Sequence, residues 1–153
     1  MRSILQRYIR HLWRFWPPFL FSGIRIERLD RDFRYARVRL KLRFWTANYV
    51  GTQFGGSLFS MTDPFYMLML IKNLGPEYSI WDKSASISYV KPGRSDVLAE
   101  FTLSDDDLAA IVSALQTSDR LLWTRQIEIK DLEGEVVARV DKTVSIKKKN
   151  LSS

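Results

Sequence analysis

The chain has 153 residues, a formal net charge of +7, 46% hydrophobic residues and 27% charged residues, which fits one globular domain and excludes a disordered protein. It contains no cysteine, so disulfides, thiolate nucleophiles and cysteine-ligated metals are excluded. With His11 as its one histidine, a zinc site would need several carboxylates, and no metal site is expected. Because His11 lies in a basic segment, we interpret it as a solvated residue and not as part of a Ser-His-Asp triad.

The positive charge is concentrated at the N-terminus. Residues 1–43 hold 12 Lys and Arg against 3 Asp and Glu, whereas residues 44–153 hold 12 against 14. This asymmetry indicates an anionic partner for the N-terminal segment, either a membrane surface or a nucleic acid. No nucleic-acid-binding motif is present in the sequence, so binding to nucleic acid is not expected.

Residues 2–16 are predicted to form a basic amphipathic helix. On a helical wheel the apolar side chains share one half and the basic side chains the other, and Pro17 and Pro18 are expected to end the helix. The N-terminal unit is therefore residues 1–18, which are too short and too charged to span a bilayer. Its apolar face either packs on the protein body or a second subunit, which we favour, or lies on an anionic membrane surface.

Two strands and a long helix are predicted next. Residues 24–29 and 35–44 are predicted strands, and in the second of them apolar residues alternate with arginines and lysine. This arginine ladder either binds phosphates or forms a solvated sheet face, which we favour. Residues 57–74 are apolar on nearly every side and are followed by Gly75-Pro76, which predicts one long buried helix.

In the second half of the chain, the hydrophobic residues again alternate with the period of two that is typical of strands. A helix is predicted at 104–117, opened by a capping box of Ser104 and Asp107. The predicted strands are 84–91, 97–103, 121–130 and 136–147. This order predicts one α+β domain at residues 19–148, with an antiparallel sheet around the buried helix, and a tail at 149–153.

The glycine-containing segment before the long helix is the first candidate for chemistry. Helix N-termini present unpaired N–H groups, and Gly55 and Gly56 would let a substrate approach them closely. Such a site could stabilise an oxyanion. Alternatively, the two glycines only relieve a tight turn.

Asp63 is the second candidate, because it is a carboxylate within an apolar stretch. It could be a general base or nucleophile at the edge of an apolar pocket. Alternatively, it caps a second helix that begins at Pro64, or bonds groups that a proline kink leaves open. The spacing alone does not separate these interpretations.

A resemblance to a known family connects the two candidates. The run at 54–63, Phe-Gly-Gly-Ser-Leu-Phe-Ser-Met-Thr-Asp, resembles the His-Gly-Gly-x-Leu-x-x-Leu-x-Asp signature of hot-dog fold thioesterases of the phenylacetate-degradation type. Asn48 stands where that group has an Asn, and residues 89–93 resemble its strand that ends in a basic-Pro turn. Residues 51–70 together with Trp81-Asp82-Lys83 look closer still to a hot-dog family known as a domain of unknown function. The resemblance covers about residues 24–147.

The resemblance implies a hot-dog fold, in which an antiparallel sheet wraps around a long central helix. It also implies a homodimer, with a tetramer as the alternative, whose active sites lie at the subunit interface. The implied activity is hydrolysis of an acyl-CoA with a hydrophobic acyl group. No cofactor is expected besides the CoA of the substrate. The alternative function is a non-catalytic hot-dog module that binds acyl chains or an oligomeric partner.

The resemblance also implies roles for individual residues. Asp63 would activate water or attack the thioester, the N–H of Gly55 or Gly56 would polarise its carbonyl, and Asn48 would position water or the carbonyl. The residues expected to bind substrate are Phe54, Ser57, Thr52, Lys91 and Arg94. Of these, Phe54 replaces the histidine of the motif. A cytoplasmic location is expected, with peripheral contact to the inner face of the membrane through residues 1–18 as a further expectation.

Overall fold

The chain is described by a computed structural model over residues 15–149. Within this range four α-helices and six strands follow one another. They are α1 (Pro17–Ser22), β1 (Ile24–Leu29), β2 (Tyr35–Leu40), α2 (Gly55–Ser60), α3 (Phe65–Leu74), β3 (Tyr78–Tyr89), β4 (Val97–Thr102), α4 (Asp105–Thr117), β5 (Arg120–Asp131) and β6 (Val136–Lys148). No helix within residues 15–149 is long and apolar enough to cross a membrane.

The six strands form one antiparallel sheet in the order β1-β2-β4-β5-β6-β3. Side-chain alternation decides which face is buried: in β2, Ala36, Val38 and Leu40 are fully buried, whereas the residues between them are partly exposed. The buried face packs on α3, where the ring of Phe65 lies 4.7 Å from that of Phe101 on β4. This confirms the predicted α+β hot-dog fold, with a sheet around a central helical segment.

The central helical segment consists of two helices, so the prediction of one helix over residues 57–74 is wrong in this respect. α2 ends at Ser60 and α3 begins at Phe65, with a cis peptide bond between Asp63 and Pro64 in the turn that joins them. Pro64 has no N–H to donate, so the helical hydrogen bonds cannot run through it. Pro64 is the N-cap residue of α3, and no side chain caps this helix. Asp63 is therefore not a helix cap.

The two prolines near the N-terminus begin a helix. Pro17 and Pro18 occupy the first turn of α1, where a missing N–H costs little. The helix ends at Gly23, whose φ of 80° suits glycine. The predicted helix over residues 2–16 lies outside the described residues, except for Phe15 and Trp16, which are not part of an α-helix.

Strand ends differ from the prediction in two places. β2 ends at Leu40 and not at residue 44: the N–H of Lys41 still donates to Gly23, in register with β1, but that of Leu42 donates to the side chain of Asp96. β3 begins at Tyr78 and not at residue 84, and a bulge between Asp82 and Ser84 interrupts the alternation on which the prediction depended. The capping box of α4 is confirmed, since Ser104 and Asp107 exchange both hydrogen bonds.

The outer face of β2 carries an ion-pair network. The Nε atom of Arg37 lies 3.3 Å from a carboxylate oxygen of Glu27, and Nη1 of Arg39 lies 3.5 Å from Asp96. Arg39 also donates a hydrogen bond to Glu27. Because these arginines already have acidic partners, the structure favours a solvated sheet face over a phosphate site.

Candidate active site

Two cavities flank the central helical segment. The first, of about 390 Å³, is called the glycine cavity and is lined by Asn48, Thr52, Gln53, Gly55, Leu58, Tyr89, Val90, Lys91, Pro92 and Gly93. The second, of about 380 Å³, is called the Asp63 cavity and is lined by Phe59, Ser60, Thr62, Asp63, Asp82, Lys83, Ser84, Ala85 and Lys142. Of the predicted site residues, four line the glycine cavity and Asp63 lines the other. The predicted residues that line neither cavity are Phe54, Gly56, Ser57 and Arg94.

Asn48 organises the loop that forms one wall of the glycine cavity. Its Oδ1 accepts hydrogen bonds from the N–H groups of Val50 and Thr52, at 3.1 and 3.0 Å. Its Nδ2 donates to Oγ1 of Thr52 at 2.9 Å. Asn48 and Thr52 therefore hold each other and fix the backbone that leads to Gly55.

Gln53 was not predicted as a site residue, although it directly precedes the glycine motif. Its side chain is buried, and Nε2 donates to the carbonyls of Leu40 and Ser95, at 3.2 and 3.0 Å. Its N–H donates to the carbonyl of Gly93, which fixes the basic-Pro turn against the motif. Its Oε1 has no hydrogen-bond partner within the described part of the chain. A buried acceptor without a partner beside a cavity is suited to a ligand's donor or a water.

Gly55 and Gly56 begin α2, and their N–H groups are the first two of that helix. The N–H groups of Ser57 and Leu58 both donate to the carbonyl of Phe54, so the helical hydrogen bonds begin after the two glycines. The hydroxyl of Tyr89 lies beside Gly55, where a Cβ would be only 2.6 Å from its oxygen. Glycine is required here for space, and a hydroxyl stands next to the open N–H groups.

Phe54 and Ser57 take different positions around this helix start. The exposed ring of Phe54 lies against Gly56, where a Cβ would be 2.5 Å from a ring carbon. Ser57 is buried within α2. Phe54 can therefore contact an apolar group that enters from solvent, whereas Ser57 is the less accessible of the two.

The basic-Pro turn supplies one paired and one unpaired cation. Lys91 Nζ lies 2.7 Å from Oδ2 of Asp131, and this hydrogen bond holds the pKa of Asp131 below its usual value. Arg94 is exposed and forms no ion pair with any residue between 15 and 149. Lys91 lines the glycine cavity, but Arg94 has the charge that is free to attract a phosphate.

The Asp63 cavity is organised by a buried lysine. Lys142 Nζ donates to Oδ1 of Asp63 at 2.7 Å and lies 2.8 Å from Oδ2 of Asp82. The Lys142 side chain is only 4% exposed, whereas that of Asp63 is 57% exposed. Burial raises the pKa of Asp82, the Lys142 ammonium opposes this rise, and the Asp63 carboxylate adds to it.

Neither Lys142 nor Asp82 was identified from the sequence. Lys142 lies on the same face of β6 as Val140 and Val144, which are fully buried. Lys142 could therefore have been identified from the sequence, because it is a lysine at an apolar position of the alternating pattern in a predicted strand. Asp82 gave no comparable signal, since the bulge that follows it disturbs the phase of β3.

One chain does not bring Asp63 to the glycine N–H groups. Gly55 begins α2, whereas Asp63 lies in the turn beyond its last residue, Ser60, and at 1.5 Å per helical residue the helix between them is roughly 8 Å long. They also line different cavities. A single thioester carbonyl cannot meet both within one copy of this chain.

The family is identified by a match over most of the chain. The model of the domain of unknown function DUF4442 matches residues 6–146. The chain belongs to this family. The resemblance to a hot-dog family of unknown function is thereby confirmed. Among curated proteins, none matches the chain in sequence.

Similar solved structures include several thioesterases. A Pseudomonas aeruginosa protein of unknown function, described as a probable thioesterase, has a TM-score of 0.77 at 18% identity, and the match covers 96% of each chain. A Haemophilus influenzae thioesterase has a TM-score of 0.61 at 17% identity, covering 86% of this chain and 82% of its own. A mutant thioesterase from Pseudomonas aeruginosa has a TM-score of 0.65 at 13% identity, covering 92% and 93%. At these low sequence identities, the structural similarity shows that the chain shares the fold of these proteins.

Proposed function

We propose that the protein is a thioesterase that hydrolyses an acyl-CoA with a hydrophobic acyl group. The observation that carries this proposal is Asp63, an accessible carboxylate that a buried lysine holds at the mouth of a cavity. It occupies the position of the acidic residue in the hot-dog thioesterase signature. Structural neighbours described as thioesterases support the class of reaction.

The proposed reaction uses Asp63 as a general base. Its carboxylate takes a proton from water while the water oxygen bonds to the thioester carbonyl carbon. The N–H groups of Gly55 and Gly56 donate to the oxyanion that forms. The carbon–sulfur bond then breaks, and the proton on Asp63 passes to the leaving thiolate. The products are the carboxylic acid and free CoA, and the Asp63 carboxylate is restored.

We propose that a second copy of the chain completes each site. The Asp63 cavity of one copy would face the glycine cavity of the other, since one copy alone separates them. β3 is an edge strand whose strand neighbour, among the described residues, is β6, and most of its side chains are exposed. An unpaired edge of this kind can continue its sheet into another copy.

The assembly is testable with a charge placed on the β3 edge. Light scattering at micromolar concentration is expected to give a dimer or tetramer for the wild type. Trp81, which is 69% exposed on β3, is expected to lie in the interface, so Trp81→Glu should shift the protein towards monomer and lower its activity. Leu132→Glu, in the exposed β5–β6 turn, is the matched control and should change neither. A monomeric wild type with full activity would contradict the two-chain site.

Arg94 is proposed to attract the phosphates of CoA. Arg94→Glu is expected to raise KM for CoA esters about fivefold, the effect of about 1 kcal/mol for an exposed ion pair. KM for N-acetylcysteamine esters, which have no phosphates, should not change. Arg31→Glu, at another exposed arginine in the β1–β2 turn, is the matched control. An equal rise in KM for both ester types would mean that the turn is structural. Lys91→Glu is harder to interpret, because it also removes the ion-pair partner of Asp131.

The alternative of a non-catalytic module that binds acyl chains makes no use of an accessible carboxylate. The rate of acyl-CoA hydrolysis by a variant at Asp63 therefore separates the two functions. Peripheral membrane contact through residues 1–18 and a cytoplasmic location belong to the proposal as well. Exposed Phe15 and Phe21 at the edge of the described N-terminal segment support the membrane contact.

A further inference from the structure

Lys142 is a charged residue on the inner face of the sheet. Its neighbours on the same face of β6, Val140 and Val144, are fully buried. Its own side chain is nearly as inaccessible. A buried ammonium group is strongly unfavourable unless it is paired and hydrogen-bonded, so a requirement beyond packing is needed to explain a lysine at this position.

Two carboxylates from different elements share this ammonium group. Asp63 comes from the turn between α2 and α3, and Asp82 comes from β3. Their oxygens lie 2.7 and 2.8 Å from Nζ. Lys142 therefore binds Asp63 through Oδ1 and fixes the carboxylate against the sheet. More than half of the Asp63 side chain is exposed, so its carboxylate is open to water.

We propose that Lys142 is the positioning residue for the proposed base, and that Asp82 sets the pH range in which Asp63 acts. This inference rests on the thioesterase function proposed above. Lys142 holds the Asp63 carboxylate in one orientation and offsets the repulsion between the two acidic groups. Asp82 shares the same ammonium group and so draws part of that positive charge away from Asp63.

Other charged groups lie near the cluster of Lys142, Asp63 and Asp82. Lys83 lines the Asp63 cavity. Arg125 is the partner of Lys142 in the β5–β6 register, but its guanidinium is paired with Asp107 and lies over the ring of Trp123. The charges that act directly on Asp63 are thus that of Lys142, which is hydrogen-bonded to it, and that of the neighbouring Asp82.

The two residues predict opposite shifts of the pH–rate profile. In Lys142→Met the Asp63 carboxylate loses the ammonium group that stabilises its charged form. The acid limb of the kcat/KM profile is expected to move up by about 1–3 pH units. In Asp82→Asn the competing carboxylate is gone, so the same limb is expected to move down. Lys142→Arg keeps the positive charge and should restore most of the wild-type profile.

The experiment measures pH profiles of kcat and KM with acetyl-, octanoyl- and palmitoyl-CoA. Lys130→Met, which removes an exposed lysine paired with Glu128 on β5, is the matched control and should leave the profile unchanged. Thermal melting shows whether each variant is folded. If Lys142→Met does not fold, the pH profile of Asp82→Asn alone tests the inference. An unshifted profile in the folded variants would overturn the inference.

A second readout keeps this inference separate from the proposed function. The Asp63 carboxyl carbon is followed by NMR titration in the wild type, Lys142→Met and Asp82→Asn, with Asp63→Asn used to assign the signal. Opposite shifts of the titration midpoint support the inference even in a protein that hydrolyses no acyl-CoA. Unchanged midpoints overturn it, whether or not the wild type is active. Absence of hydrolysis in the wild type would instead count against the thioesterase.

Discussion

Asp63→Asn is expected to lower kcat for acyl-CoA hydrolysis by about 10²–10⁴-fold, the usual effect of losing a general base. The amide keeps an oxygen that can accept the hydrogen bond from Lys142, and Asp82 still offsets the charge of that lysine. The fold should therefore persist, with a melting temperature close to that of the wild type. Steady-state kinetics with acetyl-, octanoyl- and palmitoyl-CoA, together with a thermal melt, measure both effects.

The matched control for this variant is Asp119→Asn. Asp119 is an exposed carboxylate outside both cavities, so its loss should change neither rate nor stability by a measurable amount. If Asp63→Asn hydrolyses acyl-CoA as fast as the wild type, Asp63 serves only to pair Lys142. The hydrolysis would then need another base, whereas a wild type that hydrolyses no acyl-CoA would favour the non-catalytic module that binds acyl chains.

Phe101→Ala is expected to lower the free energy of unfolding by about 3–5 kcal/mol, which is a large part of the total stability of a domain. Phe101 is fully buried on β4, where its ring lies 4.7 Å from that of Phe65 and 5.3 Å from that of Tyr66. Alanine leaves a cavity between the sheet and α3 that these rings cannot fill. For a chain of this size the melting temperature should fall by roughly 6–20 °C.

Phe44→Ala is the matched control for the core variant. Phe44 is 89% exposed, and its described ring contact is with its neighbour Trp45, which is also exposed. Removing it should change stability by no more than about 0.5 kcal/mol. Denaturant titration of both variants gives the comparison. Similar losses in the two would mean that the sheet does not pack on α3 as described here.

Local sequence signals were sufficient for most of the fold. The strict alternation in β2 identified its buried residues, and the capping box identified the start of α4 at Ser104. Both depend on residues within a few positions of each other, which is the range over which a sequence pattern can be interpreted directly. The Gly-Gly and Asp63 motif likewise located residues that line the two cavities.

The remaining features depend on tertiary contacts. Lys142 meets Asp63 and Asp82 only after β6 has paired with β3 and both have packed against the central segment. No spacing within the sequence predicts that encounter. The prediction of one helix over residues 57–74 failed for a local reason, since the apolar pattern continues across Pro64, which divides two helices.

The pairing of β3 with β6 has a consequence for how the chain is made. Tyr89 pairs with Ala138 and Tyr78 with Lys148, whereas β5 and β6 close on each other through the short turn at Gly134. Closing the longer loop costs more conformational entropy, so the β5–β6 hairpin can order before β3 joins it. During synthesis from the N-terminus, α3 and β3 leave the ribosome well before their covering strand exists. The side of the central segment that β6 covers, where Lys142 meets Asp63, is then the last part of the core to be completed.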